Sequence, residues 1–375
     1  MNTKFITLCG IFLFACGSNI RSSTSSPSND SSRPTQISPN KQVDIIGLNQ
    51  TASDELFFCG NVLQNSSTQL SCHDENITDI SQLKSMQLLE SIDLSGTGVS
   101  DLAPLRSFQN IRILNVNGTK ISDLEALQNF QNLEVIYLND TSVNSLNPLR
   151  NLKKIRTVIA RRTPINELRG ISGLAAITTM DISSTHVHDI SELAKLVHLE
   201  WLVLDQTEVE DVSSLREMRS LQMLSLADTL VQDLSPLKNL NNLRHLDLSN
   251  CPITNIKSLV DLDQLEYLNL EGTHLKTVQE LKENDHLEVL SLSNTKIKSI
   301  RPLTKQMALR QLDISNTQIT DLSPLKEIVT LETLSITVQL VELPDIIGMF
   351  KNNPSLTIYS NHGVFRTTDE IESSP

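Results

Sequence analysis

Hydrophobic positions recur along most of the chain at a fixed spacing. The motif Leu-x-x-Leu-x-Leu, with Ile in place of the first Leu in some copies, starts every 22 residues from Leu89 to Leu331, without insertion or deletion. The copies fit the pattern LxxLxLxxTxIxDLxPLxxLxx, and a clear example is 221–242, LQMLSLADTLVQDLSPLKNLNN. A constant period of this length predicts a stack of equal units that share one continuous core.

Each repeat is predicted to form a short strand and a compact return. Apolar and polar residues alternate in the L-x-L core, which is the period of a strand. The return segment D-L-x-P-L-x-x-L spaces its apolar residues by three, which suits a 3₁₀ or short helical turn. One such coil buries too little apolar surface to be stable alone. We therefore predict an α/β repeat solenoid, a curved right-handed coil with a long parallel β-sheet on its concave face and short 3₁₀ or helical returns on its convex face.

The ninth position of the repeat is polar, although it lies among apolar positions. It is Thr in ten of the eleven complete repeats, and the exception is Cys251. A polar residue where the strand turns inward must satisfy backbone groups that the sheet does not reach. We predict a column of buried hydroxyl groups bonded to the turn backbone, in which Cys251 is a small residue with a weak donor and has no redox role.

These repeats resemble the internalin-type leucine-rich repeats of bacteria. The similarity lies in the 22-residue length and in the I-x-D-L-x-P-L return, and it covers about residues 70 to 336. The chain differs in having Thr at the ninth position, where that family usually has Asn. The resemblance implies the leucine-rich-repeat solenoid fold.

The first residues predict export with a lipid anchor. In residues 1–15, Lys4 precedes an apolar stretch that is too short to span a bilayer. The stretch ends in Leu-Phe-Ala-Cys, which resembles the bacterial lipoprotein signal and makes Cys16 the lipidated residue. An ordinary signal peptide cut nearby is the alternative. Residues 16–50 are rich in Ser and Pro and predict a flexible tether, which leaves the protein anchored to the cell envelope, at the outer membrane if the cell has one.

The rest of the chain divides into an N-terminal cap with a degenerate repeat, the repeats, and a C-terminal cap with a loose tail: residues 51–88, 89–336 and 337–375. Cys59 and Cys72 both fall in the first cap, and in an exported protein they predict a disulfide. In the second cap, residues 344–350 predict a short helix and 356–359 a last strand.

Composition narrows the class of partner. Aromatic residues make up only 3% of the chain, so Leu, Ile and Val must fill the core. The formal net charge of −13 argues against binding to nucleic acid or to an anionic lipid surface, and it suits a partner with basic groups.

The motifs HExxH, GxxxxGK[ST] and GxSxG are missing from the sequence. We therefore predict a monomeric, non-enzymatic protein without a cofactor, which contacts a membrane only through its N-terminal lipid.

Positions three, five and seven of each repeat are predicted to point away from the core, onto the concave face. The single Trp and two of the three Tyr fall there, and Trp201, Met223, His245 and Tyr267 lie on four successive strands. Aromatic and Met clusters are typical of binding hot spots, although such side chains also stabilise sheets through cross-strand contacts. The predicted partner-binding residues are Tyr137, Ile159, Arg161, Arg162, Trp201, Val203, Met223, His245 and Tyr267.

Two groups of charged residues have alternative interpretations. Arg161 and Arg162 either pair with an acidic group of a partner or are solvated. Two His and two Glu fall at matching positions of adjacent repeats and form a weak metal-site candidate. We favour surface charge pairs for this second group, whose members are His186, His188, Glu208 and Glu210.

The prediction for function is a surface or periplasmic lipoprotein that binds a protein partner through its concave face. A periplasmic regulator or inhibitor of an enzyme of the same cell is one alternative. A purely structural spacer is another.

Overall fold

The computed structural model describes residues 55–337, 343–361 and 363–366. The predicted signal peptide, the tether and the lipidation site Cys16 lie outside these residues. The strands are β1 (Glu55–Phe58), β2 (Asn61–Gln64), β3 (Gln69–Ser71), β4 (Ser91–Asp93), β5 (Ile113–Asn115), β6 (Val135–Tyr137), β7 (Thr157–Ile159), β8 (Thr179–Asp181), β9 (Trp201–Val203), β10 (Met223–Ser225), β11 (His245–Asp247), β12 (Tyr267–Asn269), β13 (Val289–Ser291), β14 (Gln311–Asp313), β15 (Thr333–Ile336), β16 (Thr357–Ser360) and β17 (Gly363–Phe365).

A 15-stranded sheet runs through the repeats in chain order from β3 to β17. Its strands are parallel as far as β16, and β17 joins antiparallel. Residues that face each other in the repeats are 22 apart in sequence; Leu224, for example, pairs with Leu246. The period read from the sequence is therefore the register of the sheet, and the predicted leucine-rich-repeat solenoid is confirmed.

Short 3₁₀ helices form the returns, as predicted. They are Ser81–Ser85, Ala103–Leu105, Glu125–Leu127, Asn147–Leu149, Ile171–Gly173, Ser191–Lys195, Ser213–Leu215, Ser235–Asn239, Lys257–Leu259, Gln279–Glu283, Arg301–Leu303 and Ser323–Glu327. The Asp of the D-L-x-P motif orients them. Asp233 Oδ1, for instance, accepts a bond of 2.8 Å from the Ser235 amide, and this bond is the main reason why the pKa of Asp233 is lowered.

One continuous hydrophobic core extends from Phe58 to Phe365. In the repeat that starts at Leu221, the strand leucines are fully buried and the return leucines Leu234 and Leu237 nearly so. Because the core follows the stack, no repeat has a core of its own, and each depends on its neighbours.

The ninth-position column is built as predicted. Each Thr hydroxyl donates a bond of 2.6–2.8 Å to the carbonyl oxygen three residues earlier. The buried Cys251 thiol donates instead to Leu226 O, at 3.0 Å, and lies 3.3 Å from Thr229 Oγ1. Burial raises the pKa of this thiol, which keeps it protonated as a donor.

The two ends of the stack contain elements beyond the repeats. At the N-terminal end, β1 and β2 form an antiparallel hairpin, and the predicted Cys59–Cys72 disulfide forms with a Cα–Cα distance of 5.7 Å. At the C-terminal end, α1 (Leu343–Asn352) and β16 occupy the segments where a helix and a strand were predicted. The β1–β2 hairpin and β17 were not predicted. Among the described residues, no helix has the length and apolar character needed to cross a membrane.

The hydroxyl column predicts the effect of a single isosteric change. Thr185→Val removes the hydroxyl that bonds Ile182 O at 2.7 Å, and it leaves a buried carbonyl without this donor. We expect the free energy of unfolding to fall by about 1–3 kcal/mol, measured by urea denaturation. The exposed Thr320→Val is the control, with an expected change within about 0.5 kcal/mol. Equal effects of the two substitutions would contradict a structural role for the column.

Candidate functional site

The predicted aromatic stripe, Trp201, Met223, His245 and Tyr267, lies in one row across β9 to β12. Its members face one another directly in the strand register. All four are partly exposed, whereas the leucines that follow each of them in sequence are fully buried. The stripe therefore lies on the outer face of the sheet, which is the face opposite the core and the one predicted to be concave.

The stripe is uncharged at neutral pH. The His245 and Tyr267 rings stack with their centroids 6.0 Å apart and their planes at 24°. Burial lowers the pKa of His245, and it is the main reason that the pKa of Tyr267 rises to about 12. These four side chains thus offer apolar and aromatic area with few polar atoms, which suits contact with another protein.

A second apolar group lies on the same face, on β5 to β7. Tyr137 and Ile159 were predicted from the sequence, and they pair directly and are partly exposed. Ile113 and Val135 belong to the same group, and Ile113 is 40% exposed. Ile113 was missing from the predicted site, although its place at the third position of a repeat identifies it as a residue of the outer face.

Val203 does not belong to an accessible surface, and this part of the prediction is wrong. It points to the outer face but is only 4% exposed. It lies between Asp181 and Ser225 in the strand register, and both of these residues are also buried. Fifth-position side chains are therefore more enclosed here than strand alternation alone predicts.

Arg161 and Arg162 both form ion pairs within the chain, and the Arg162 side chain is still 55% exposed to solvent. The Arg161 guanidinium lies 2.5 Å from Asp181 Oδ2, and its side chain is only 16% exposed. Arg162 binds Asp140 with two bonds of 2.6 and 2.7 Å. Both cations are thus engaged within the chain, and a partner's carboxylate would have to displace an existing ion pair.

Polar residues at positions five and seven have a structural role that the sequence analysis missed. Where the fifth residue is Asp or Asn, its Oδ1 accepts the amide two residues later, as Asp181 does from Ser183 at 3.0 Å. Where the fifth residue is apolar, the preceding repeat can supply the acceptor. Asn117 Oδ1 caps the Asn139 amide, and Asn139 Oδ1 caps the Arg161 amide. These caps leave the fifth position open for Tyr137 and Ile159.

Asp205 has the same capping role in a more enclosed place. Its Oδ1 accepts bonds from the Ser225 hydroxyl at 2.5 Å and from the Ala227 amide at 2.9 Å. Burial is the main cause that raises its pKa to about 6, and the charges of Asp247 and Asp181 add to the rise. Asp205 is thus a carboxylate whose ionised form is disfavoured by burial, and it lies two positions beyond Val203 in the repeat that contains Trp201.

The weak metal candidate does not form a site. His186 Nδ1 lies 3.6 Å from Glu208 Oε1, and both side chains are largely exposed. In the part of the chain that the structure describes, no group of three or more His, Cys, Asp or Glu side chains is arranged to hold a metal ion. His186 and Glu208 are therefore an exposed surface contact, and His188 and Glu210 do not complete a ligand set.

Two family models match the repeats. A model described as a leucine-rich repeat region matches residues 110–250, and a model of two leucine-rich-repeat copies matches 241–283 and 285–327. Together they span more than half of the chain. The chain belongs to the leucine-rich-repeat family.

Solved structures show the same fold for this leucine-rich-repeat protein. The internalin InlF from Listeria monocytogenes matches with a TM-score of 0.65 and 24% identity, covering 73% of this chain and 89% of that one. A leucine-rich-repeat protein from Leptospira interrogans matches with a TM-score of 0.69 and 19% identity over 74% of each chain. The plant peptide hormone receptor RGFR1, in complex with RGF2, has a TM-score of 0.62 and 14% identity, covering 77% of this chain and 55% of that one. No curated protein matches the sequence.

The raised pKa of Asp205 predicts a pH-dependent gain in stability for Asp205→Asn. The folded pKa lies above 3.8, the usual value for an Asp side chain, so Asp205 is neutral in both the folded and the unfolded state below about that pH. The free energy of unfolding then falls as the pH rises through the folded pKa of about 6. The side-chain oxygen of the new Asn can still accept the hydrogen bond from the Ala227 amide, as the side-chain oxygens of Asn117 and Asn139 accept from backbone amides in other repeats. We expect the free energy of unfolding of the variant to exceed that of the wild type by about 1–3 kcal/mol at pH 8 and to differ little from it at pH 4. Urea titrations at the two pH values measure this difference.

The matched control is Asp101→Asn, which removes the same charge from an exposed return-limb residue that caps the Ala103 amide at 2.7 Å. A gain for Asp205→Asn that is equal at both pH values, or a loss at pH 8, would contradict the assignment.

Proposed function

We propose that this leucine-rich-repeat chain is a non-enzymatic lipoprotein of the cell envelope that binds a protein partner on the outer face of its sheet. The aromatic stripe is the proposed contact. The observation that carries the proposal is the place of the large aromatic side chains. Among the described residues, the core cluster contains no Trp or Tyr, while Trp201, Tyr267 and Tyr137 all lie on the outer face.

The sheet itself does not require bulky residues at the third position. Thr157 and Thr179 occupy this position on β7 and β8, and they pair in the same register as Trp201 and Met223. Strand pairing is therefore equally regular with and without aromatic side chains at this position. A binding role explains why four large side chains are gathered on successive strands.

One structural neighbour is compatible with this class of function. The plant receptor RGFR1 was solved in complex with RGF2, and it is described as a peptide hormone receptor. At 14% identity this similarity concerns the fold alone, so a protein or peptide partner for the present chain belongs to the proposal.

The proposed anchor is the lipid on Cys16, from which residues 16–50 hold the repeats away from the membrane. Cells fed a labelled fatty acid are expected to label the wild-type chain, which then enters the detergent phase on phase separation. Cys16→Ser should lose the label and move to the aqueous phase, whereas Cys9→Ser should behave as the wild type. Labelling of the Cys16→Ser chain would contradict lipidation at this residue.

Truncation of the stripe tests the binding site. We expect Trp201→Ala and Tyr267→Ala each to weaken capture of the partner from envelope extracts by about 30-fold, the effect of a hot spot of about 2 kcal/mol. The free energy of unfolding should change by less than about 1 kcal/mol, because neither side chain belongs to the core. Quantitative pull-down and urea denaturation measure the two effects.

The control is Tyr359→Ala, which truncates a 45%-exposed Tyr on β16, away from the stripe. If the Trp201→Ala variant captured the partner as well as the wild type does, or if Tyr359→Ala weakened capture equally, the stripe would not be the contact.

A further inference from the structure

Carboxylates border one side of the aromatic stripe. They lie at positions five, seven and eight of the repeats that contain β8 to β12, on the side toward the carboxyl ends of the strands. We call them the acidic flank, and its members are Asp181, Asp205, Asp228, Asp247 and Glu271.

The acidic flank has little positive charge to balance it. No Lys or Arg occupies positions three, five, seven or eight of the five repeats that contain β8 to β12. Arg161, from the preceding repeat, is paired with Asp181 at one end of the flank. Arg244 lies on the other side of the stripe, where it pairs with Glu266. His245 does not supply the missing charge, because burial lowers its pKa.

Neutral donors hold two carboxylates of the acidic flank in place. Asp205 accepts from the Ser225 hydroxyl and the Ala227 amide, and Asp247 Oδ1 accepts from the amide and hydroxyl of Ser249. Such bonds fix the carboxylates without removing their charge. The charges of Asp181 and Asp247 act on Asp205 and help to raise its pKa, so a negative potential is concentrated beside the stripe.

We propose that the partner contacts the stripe with an extended protein segment that carries Lys or Arg side chains next to apolar ones. This inference rests on the proposed function and adds the chemistry of the partner. The apolar side chains would cover Trp201 and Met223. The stems of the cationic side chains would pass over Trp201 or Tyr267, and their charges would reach the acidic flank. The net charge of −13 also favours approach of a basic partner.

The length of the aromatic stripe suits a single short extended segment of the partner. Strands in a sheet are about 4.8 Å apart, so a row across four strands is about 14 Å long. An extended segment that rises about 3.3 Å per residue covers this length with four or five residues. Because its side chains alternate between two faces, such a segment presents two or three of them to the stripe and its flank.

Selection from a random dodecapeptide library displayed on phage tests the proposal. The library is panned in parallel against the full-length protein and against its Trp201→Ala variant. We expect the peptides that depend on Trp201 to be enriched in Lys or Arg beside apolar residues. Synthetic versions should bind about tenfold more weakly to the double variant Asp205→Asn/Asp247→Asn, which removes two charges of the acidic flank.

The substitutions in the double variant are compatible with the fold. Asn already occupies the fifth position as a cap in Asn115 and Asn269, and the seventh in Asn117 and Asn139, so both substitutions use side chains that other repeats accept. Asp101→Asn changes one charge on the return limb and should leave affinity unchanged.

The outcomes separate the two proposals. Trp201-dependent peptides that are neutral or acidic, or whose affinity is the same for the double variant, overturn the cationic partner and leave the proposed binding face standing. No enrichment, or equal enrichment on the Trp201→Ala variant, overturns both.

Discussion

The structure depends on the pairing of each repeat with the next at an offset of 22 residues. A single coil orders 22 residues around a few leucines, and the loss of conformational entropy outweighs that burial until a neighbour covers the open sides of the coil. The offset fixes more than the sheet, because equivalent side chains are stacked in columns through the whole solenoid. The hydroxyl column, the capping carboxamides and the aromatic stripe are all consequences of one constant period.

The sequence was sufficient for the fold because its signals are local and repeated many times. The spacing of apolar residues predicted the strands and the returns. The Thr residues at the ninth position predicted the hydroxyl column, in which Cys251 is the exception. The ends were harder to predict. The β1–β2 hairpin and β17 occur once each, so no repetition strengthens their weak patterns.

The candidate site was predicted less well than the fold, for a physical reason. Strand alternation says which face a side chain points to, but not how much of it neighbours cover. Val203 points to the outer face yet is buried between Asp181 and Ser225, and Arg161 folds back onto Asp181. Both outcomes depend on side chains from adjacent repeats, which a pattern read one repeat at a time does not include.

The outer face is shared between structural and variable positions. In most of the described repeats, an Asp or Asn at position five or seven accepts a hydrogen bond from the amide just beyond a strand. The third position has no such duty, and it varies from Ser91 through Thr157 to Trp201 without any change in register. Selection for a partner can therefore act on the third position with little effect on stability. At positions five and seven, selection is constrained by the capping role. A carboxylate in place of a carboxamide, as in Asp205, keeps the cap and adds a negative charge, and its raised pKa means that burial disfavours this charge.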